Sequence, residues 1–173
     1  MTYEGQDRVP LGVVMERRRS DHPWQDHVWR PVSVFPGAPA LDPKGEWTLI
    51  REGDGWARFH AGTLELKLFR SWTEGYKLNL SQRPPRVFVI VRRGDGLGDR
   101  HEWQPFHVTV CPYEAQEHLD GGDDMVEAVA MPEGMAAWVK DFVDRHHVDK
   151  PFVKRKRKRH KPHAGSERFR TVR

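Results

Sequence analysis

Cysteine is almost absent. Cys111 is the only one in 173 residues, which excludes an intramolecular disulfide and any zinc site built on a cysteine pair. Long apolar runs are absent too. None approaches the ~20 residues that a membrane helix needs, and Met1 to Leu11 has no apolar segment of the kind a secretory signal requires. The expectation is a soluble, cytoplasmic protein that does not enter a membrane. Catalytic signatures are also missing. There is no Gly-x-Ser-x-Gly elbow and no Gly-x-x-x-x-Gly-Lys-Ser/Thr phosphate loop. No strand runs through a Gly-rich turn into a long helix, so a dinucleotide-binding α/β unit is not expected.

Charge is present, and unevenly. Residues 150–173 hold 11 Lys/Arg and one acid, Glu167, whereas residues 1–149 hold 18 Lys/Arg against 24 Asp/Glu. The sequence therefore divides into an acidic body, 1–149, and a basic tail, 150–173. Lys154, Arg155, Lys156, Arg157, Lys158 and Arg159 follow one another without interruption. Such a composition cannot bury a core and is expected to be disordered alone. A block of like charge usually serves as an interaction arm, for phosphate or for an acidic protein surface; a purely solubilising tail is the plainer alternative. After Val153 only Phe169 and Val172 are sizeable apolar side chains. Phe152 is the ring available to dock on the body and hold the tail's root.

The body reads as short strands punctuated by turns. Leu11, Val13 and Val14 open a first strand that runs to an exposed polar end at Arg17, Arg18 and Arg19. Residues 20–31, with two Pro, two Trp and two His, form an ordered loop, and Trp29 to Phe35 is a second strand. Trp47–Arg51 and Trp56–His60 flank Asp54-Gly55, a strong hairpin signal. Gly62 breaks the run. Leu64, Leu66 and Leu68, and then Tyr76, Leu78 and Leu80, alternate with polar residues, as half-buried strands do. Val87 to Val91 is apolar throughout, as in a strand covered on both faces. Arg92 to Glu102 is a Gly/Asp-rich loop, followed by an alternating strand at Phe106, Val108 and Val110.

The period then changes. Pro112 opens a short helix that ends at Gly121-Gly122. Met125 to Ala130 is a last short strand, and Asp120 to Asp124 is a solvated acidic turn. From Pro132 and Glu133, Met135, Trp138, Val139, Phe142 and Val143 fall on one helical face, with the end near His146-His147. Seven or eight short strands and one good helix predict a mainly β (α+β) fold, a small antiparallel barrel or sandwich with a C-terminal amphipathic helix.

Seven tryptophans mostly suit a core of large aromatics. Trp24 and Trp29 stand apart, flanked by Gln25, Asp26, His27 and Arg30, and make a reasonable binding surface. The loop's two histidines and two aspartates fall short of a convincing metal site. His107 and Cys111, four apart in one strand, lie roughly 13 Å from each other, too far to share a proton. The candidate partner-binding residues are therefore Trp24, Gln25, Asp26, His27, Trp29, Arg30 and the run Lys154–Arg159. No catalytic residue, metal ligand or cofactor is expected.

Leu11-Gly12-Val13-Val14-Met15-Glu16-Arg17-Arg18, Pro23-Trp24-Gln25-Asp26-His27-Val28-Trp29-Arg30-Pro31, Gly55-Trp56, His60-Ala61-Gly62, Pro112-Tyr113-Glu114-Ala115-Gln116 and His146-His147-Val148 together resemble the bacterial domain-of-unknown-function 3305 family. The Trp-Gln-Asp-His-x-Trp-Arg-Pro piece is the most specific. The resemblance implies a link to molybdenum-cofactor and formate dehydrogenase genes, since members often carry the label molybdopterin-guanine dinucleotide biosynthesis protein A. The leading expectation is a non-catalytic accessory factor for maturation of such an enzyme, whose partner is a molybdoenzyme subunit or a cofactor-pathway protein. Two alternatives stand beside it: a nucleic-acid-binding β protein using the tail, and the enzyme named by the label. A guanylyltransferase of that name is an α/β protein with an Arg-bearing Gly-rich loop, and this sequence has neither.

Overall fold

The computed structural model describes residues 7–94 and 99–154. The strands are β1 (Arg8–Arg19), β2 (His27–Pro36), β3 (Thr48–Gly53), β4 (Trp56–Lys67), β5 (Arg86–Arg93), β6 (Trp103–Thr109) and β7 (Asp124–Ala130). The helices are α1 (Thr73–Leu80), α2 (Pro112–Gly121) and α3 (Glu133–His146). A four-stranded antiparallel sheet, ordered β2-β1-β4-β3, faces a three-stranded one, ordered β6-β5-β7. Strand β6 runs close to β4, and β7 close to β2, without a hydrogen-bonded ladder between them. The result is sandwich-like rather than a closed barrel, and the described residues form seven strands where seven or eight were expected.

The core lies between the sheets. Val9, Leu11, Met15 and Leu66 from one sheet meet Val87, Val89, Val91 and Val108 from the other, and α3 adds Phe142 and Val139. Helix α3 buries Met135, Trp138, Val139, Phe142 and Val143, the five residues of its apolar stripe. Helix α2 begins at Pro112 and stops at Gly122, whose φ of 78° supplies the left-handed cap.

Four expectations need correction. Tyr76, Leu78 and Leu80 lie on α1, not on a strand. The buried residues there are Thr73, Gly75, Tyr76 and Asn79, and polar bonds decide the outcome. Asn79 Nδ2 donates to the carbonyls of Arg86 (2.7 Å) and Val110 (2.8 Å), and its Oδ1 accepts from Arg86 N–H (2.8 Å). The Tyr76 hydroxyl accepts from Phe69 N–H at 3.0 Å, and burial pushes that phenol up to about 12.

Gly62 does not end its strand, because β4 runs on from Trp56 to Lys67. Its φ is 146°, and a Cβ there would stand 2.5 Å from Pro43 Cγ. The ladder to β1 shifts register at this point, so glycine lets the strand kink instead of stopping it. The expected 92–102 loop is shorter, since β5 reaches Arg93 before turning. Phe152 does not dock. It is 88% exposed, so the chain is held earlier, by residues 147–149.

Candidate functional site

Among the described residues of the body, the first hairpin carries the most exposed of the tryptophans. Arg19 pairs with His27 across β1 and β2. The turn between them is closed by Ser20 N–H to Asp26 O (3.0 Å), Gln25 N–H to His22 O (3.2 Å) and His22 N–H to the Ser20 hydroxyl (3.0 Å). Pro23 and these local bonds hold the turn open, and Trp24 at its tip is 89% exposed. Gln25, Asp26, His27 and Arg30 are exposed as well. Trp29 is not part of that surface. Its ring lies 5.5 Å from Trp47 and 5.8 Å from Phe59 between centroids, with the Arg17 guanidinium 5.9 Å away. The residue belongs to β2 and faces the core; strand alternation sends Val28 and Arg30 the other way. Of the basic run, only Lys154 falls within the described residues, and it is exposed. Arg155, Lys156, Arg157, Lys158 and Arg159 lie outside them, as does the expected disorder of the tail.

Beside the tip, the outer face of the four-stranded sheet carries an arginine array that patterning alone did not reveal. Glu16 is paired directly with Arg30 on β2 and Arg58 on β4, and Arg58 with Arg51 on β3. Arg18 lies two residues along β1 on the same face. Glu16 is 1% exposed; Arg18 donates to its Oε1 at 3.1 and 3.0 Å, and Arg58 to its Oε2 at 2.9 Å. Burial raises the Glu16 carboxyl, but the bonds from Arg58 and Arg18 outweigh it and hold the group below the usual carboxylate range. The expected polar end at Arg17, Arg18 and Arg19 thus resolves into distinct roles, with Arg17 turned inward over Trp29 and Phe59. Arg30 and Arg58 each stand between two apolar residues, which was the available signal; the strand pairing that unites them with Glu16 and Arg18 was not.

A second cluster joins β5, β6, α2 and β7. His107 Nε2 lies 2.9 Å from Glu114 Oε1, His118 Nδ1 lies 2.8 Å from Asp124 Oδ2, and the two imidazoles are 5.8 Å apart between centroids. Asp124 also accepts two bonds from Arg92, at 2.8 and 3.0 Å, and its side chain is only 7% exposed. The acidic turn is therefore not simply solvated. The Arg92 bonds, opposed by burial and aided by His118, hold the Asp124 carboxyl down at about 2. These pairs lock α2 onto the sheet. Among the described residues, no group of three or more His, Cys, Asp and Glu is placed to hold a metal ion. Cys111 is buried beside Gly75, consistent with a small core residue.

Past α3 the chain is clasped. Thr73 Oγ1 lies 3.0 Å from His147 Nδ1, His147 Nε2 lies 2.9 Å from Asp149 Oδ1, and Lys77 Nζ donates to the same oxygen at 3.2 Å. The order of groups resembles a hydroxyl–imidazole–carboxylate triad. Thr73 is 5% exposed and its hydroxyl donates to Arg70 O at 3.2 Å, so the arrangement fastens a chain end and offers no nucleophile. Among the described residues, no helix is long and apolar enough to cross a membrane.

A family model described as protein of unknown function (DUF3305) matches residues 10–156, and the chain belongs to that family. No curated protein matches the sequence, and no solved structure matches the fold.

Proposed function

We propose that this chain is a non-catalytic accessory factor. It binds a protein partner through the β1–β2 tip and the basic run Lys154–Arg159, during assembly or maturation of a molybdenum-cofactor enzyme such as formate dehydrogenase. The observation that carries the reading is Trp24, 89% exposed at the tip of a hairpin whose turn is fixed by backbone bonds. A rigid indole held in water gains on being covered. Truncating an interface tryptophan of this kind typically costs about 2–4 kcal/mol of binding. The molybdenum context rests on the family resemblance alone, and the basic run supplies a second grip on an acidic surface.

The test is affinity capture from the native host with the full chain and with Trp24→Ala. The reading expects a molybdoenzyme subunit or a cofactor-pathway protein among the captured proteins, depleted at least ~30-fold by the substitution. Recovery of nucleic acid alone would favour the polyanion-binding alternative, whose affinity should fall steeply with salt. Turnover of GTP with molybdopterin by the purified chain would favour the enzymatic one.

A further inference from the structure

We propose that the outer face of the β2-β1-β4-β3 sheet is a recognition site for an acidic, extended protein segment, read by Arg30 and Arg51. This rests on the protein-binding reading above and names the chemistry of the partner.

Arg30, Glu16, Arg58 and Arg51 stand side by side in cross-strand register, and Arg18 shares their face. Three arginines thus neighbour the Glu16 carboxylate, and Arg51 extends the row by one strand. Like charges placed directly opposite, as Arg51 and Arg58 are, destabilise a sheet. Glu16 relieves only part of this, because its bonds go to Arg18 and Arg58. Among the described residues, Arg30 and Arg51 have no ion-pair or hydrogen-bond partner for their side chains, and both are exposed. The body as a whole is acidic, with 18 Lys/Arg against 24 Asp/Glu in residues 1–149. A concentrated positive face on such a body is an arrangement that an anion from outside would complete.

Spacing and surroundings select the anion. Neighbouring strands lie about 4.8 Å apart, so the two free arginines at the ends of the row are separated by roughly 14 Å at the backbone. In an extended chain, carboxylates at i and i+4 are separated by roughly 13 Å. An acidic segment crossing the strands therefore meets both forks, each suited to bidentate carboxylate recognition. A single-stranded nucleic acid fits less well, because it needs several free rings on which to stack successive bases, and Trp24 at the adjoining tip is a single one. Trp56, the tryptophan of this face, is partly buried. Its indole lies against Gly53, where a Cβ would come within 2.5 Å of Nε1, and the Arg58 guanidinium sits 5.4 Å from its ring. A long polyanion would also run off the patch onto an acidic body, whereas a short segment need not. Val28, 41% exposed on the same face, and Trp24 at the adjoining tip offer apolar contacts beside the charges.

The test is fluorescence polarisation with the full chain at physiological salt. The probes are a short labelled peptide with glutamates at i and i+4 and a labelled oligo-thymidine of equal charge. The expected result is that Arg30→Glu with Arg51→Glu weakens peptide binding at least ~10-fold while changing oligo-thymidine binding little, since the basic run serves that probe. Arg30→Gln with Arg51→Gln gives a smaller loss in the same direction, and neither residue has a partner to lose, so the melting temperature holds. Unchanged peptide affinity in both doubly substituted chains would overturn the proposal. So would a face-dependent preference for oligo-thymidine over the peptide. If Trp24→Ala abolishes capture of the native partner while the arginine substitutions do not affect it, the accessory reading stands and this inference fails.

Discussion

Replacing Asn79 by alanine is the sharpest probe of how this fold is held. The side chain is fully buried on α1 and reaches both carbonyls that flank the sheet, Arg86 O and Val110 O, while accepting from Arg86 N–H. The substitution strands one donor and two acceptors. The Val110 bond lies wholly in the interior, where a lost partner costs about 1–3 kcal/mol, whereas the Arg86 groups are partly reachable by water and cost less. The total is about 2–4 kcal/mol. For a domain of this size each kcal/mol moves the melting temperature by about 2–4 °C, so a fall of about 5–15 °C is expected by calorimetry or circular dichroism. Leu78→Ala, on the exposed side of the same helix, is the control and should cost less. Asn79→Asp keeps the acceptor for Arg86 but turns a carboxylate oxygen toward two carbonyls. It should be at least as harmful at neutral pH and recover as the pH falls and the carboxyl takes up a proton. A melting temperature for Asn79→Ala within ~2 °C of the parent, or no lower than that of Leu78→Ala, would refute the claim that polar bonds fix this segment as a helix.

Further outcomes follow from other contacts. Gly62→Ala forces a φ of 146° on an L side chain and drives its Cβ into Pro43; a loss of about 1–3 kcal/mol is expected in denaturant unfolding. Asp124 is depressed from 3.8 to about 2, so its contribution is complete above pH ~4 and lost as the pH falls through about 2. Allowing for the half-exposed Arg92, Asp124→Asn should cost about 1–2 kcal/mol at pH 7 and very little at pH 2. Truncation after Val153 should leave the melting temperature within ~2 °C and remove most polyanion binding, because Pro151, Phe152 and Val153 are all exposed. Truncation after His146, which removes the His147 clasp, should lower it measurably.

Much of the fold was legible because periodicity was strong where burial was one-sided. The stripe on α3, the Asp54-Gly55 turn between β3 and β4, and the Pro112 and Gly122 ends of α2 could all be read locally. Helix α1 was not legible, because Tyr76, Leu78 and Leu80 alternate as in a strand while the deciding bonds of Asn79 reach residues 7 and 31 positions away. The candidate site divides in the same way. The exposure of Trp24 follows from a polar, proline-bearing loop, and that could be anticipated. Arg30 was singled out from that loop, but its companions Arg18, Arg51 and Arg58 come from three other strands, and only the sheet register makes neighbours of them.

The clasp formed by Thr73, His147, Asp149 and Lys77 has a geometric consequence for whatever the tail holds. It converts a chain end into a tether with a fixed origin. Chain length then sets a limit, since each residue spans at most ~3.6 Å. Lys154 can reach no farther than about 18 Å from Asp149, and Arg159 no farther than about 36 Å. On the proposed reading, a partner gripped by the basic run would be confined within that radius of Asp149, which would raise its effective concentration at the body. A weak second contact on the body becomes sufficient under that confinement, and loosening the clasp would dilute it without touching either binding surface.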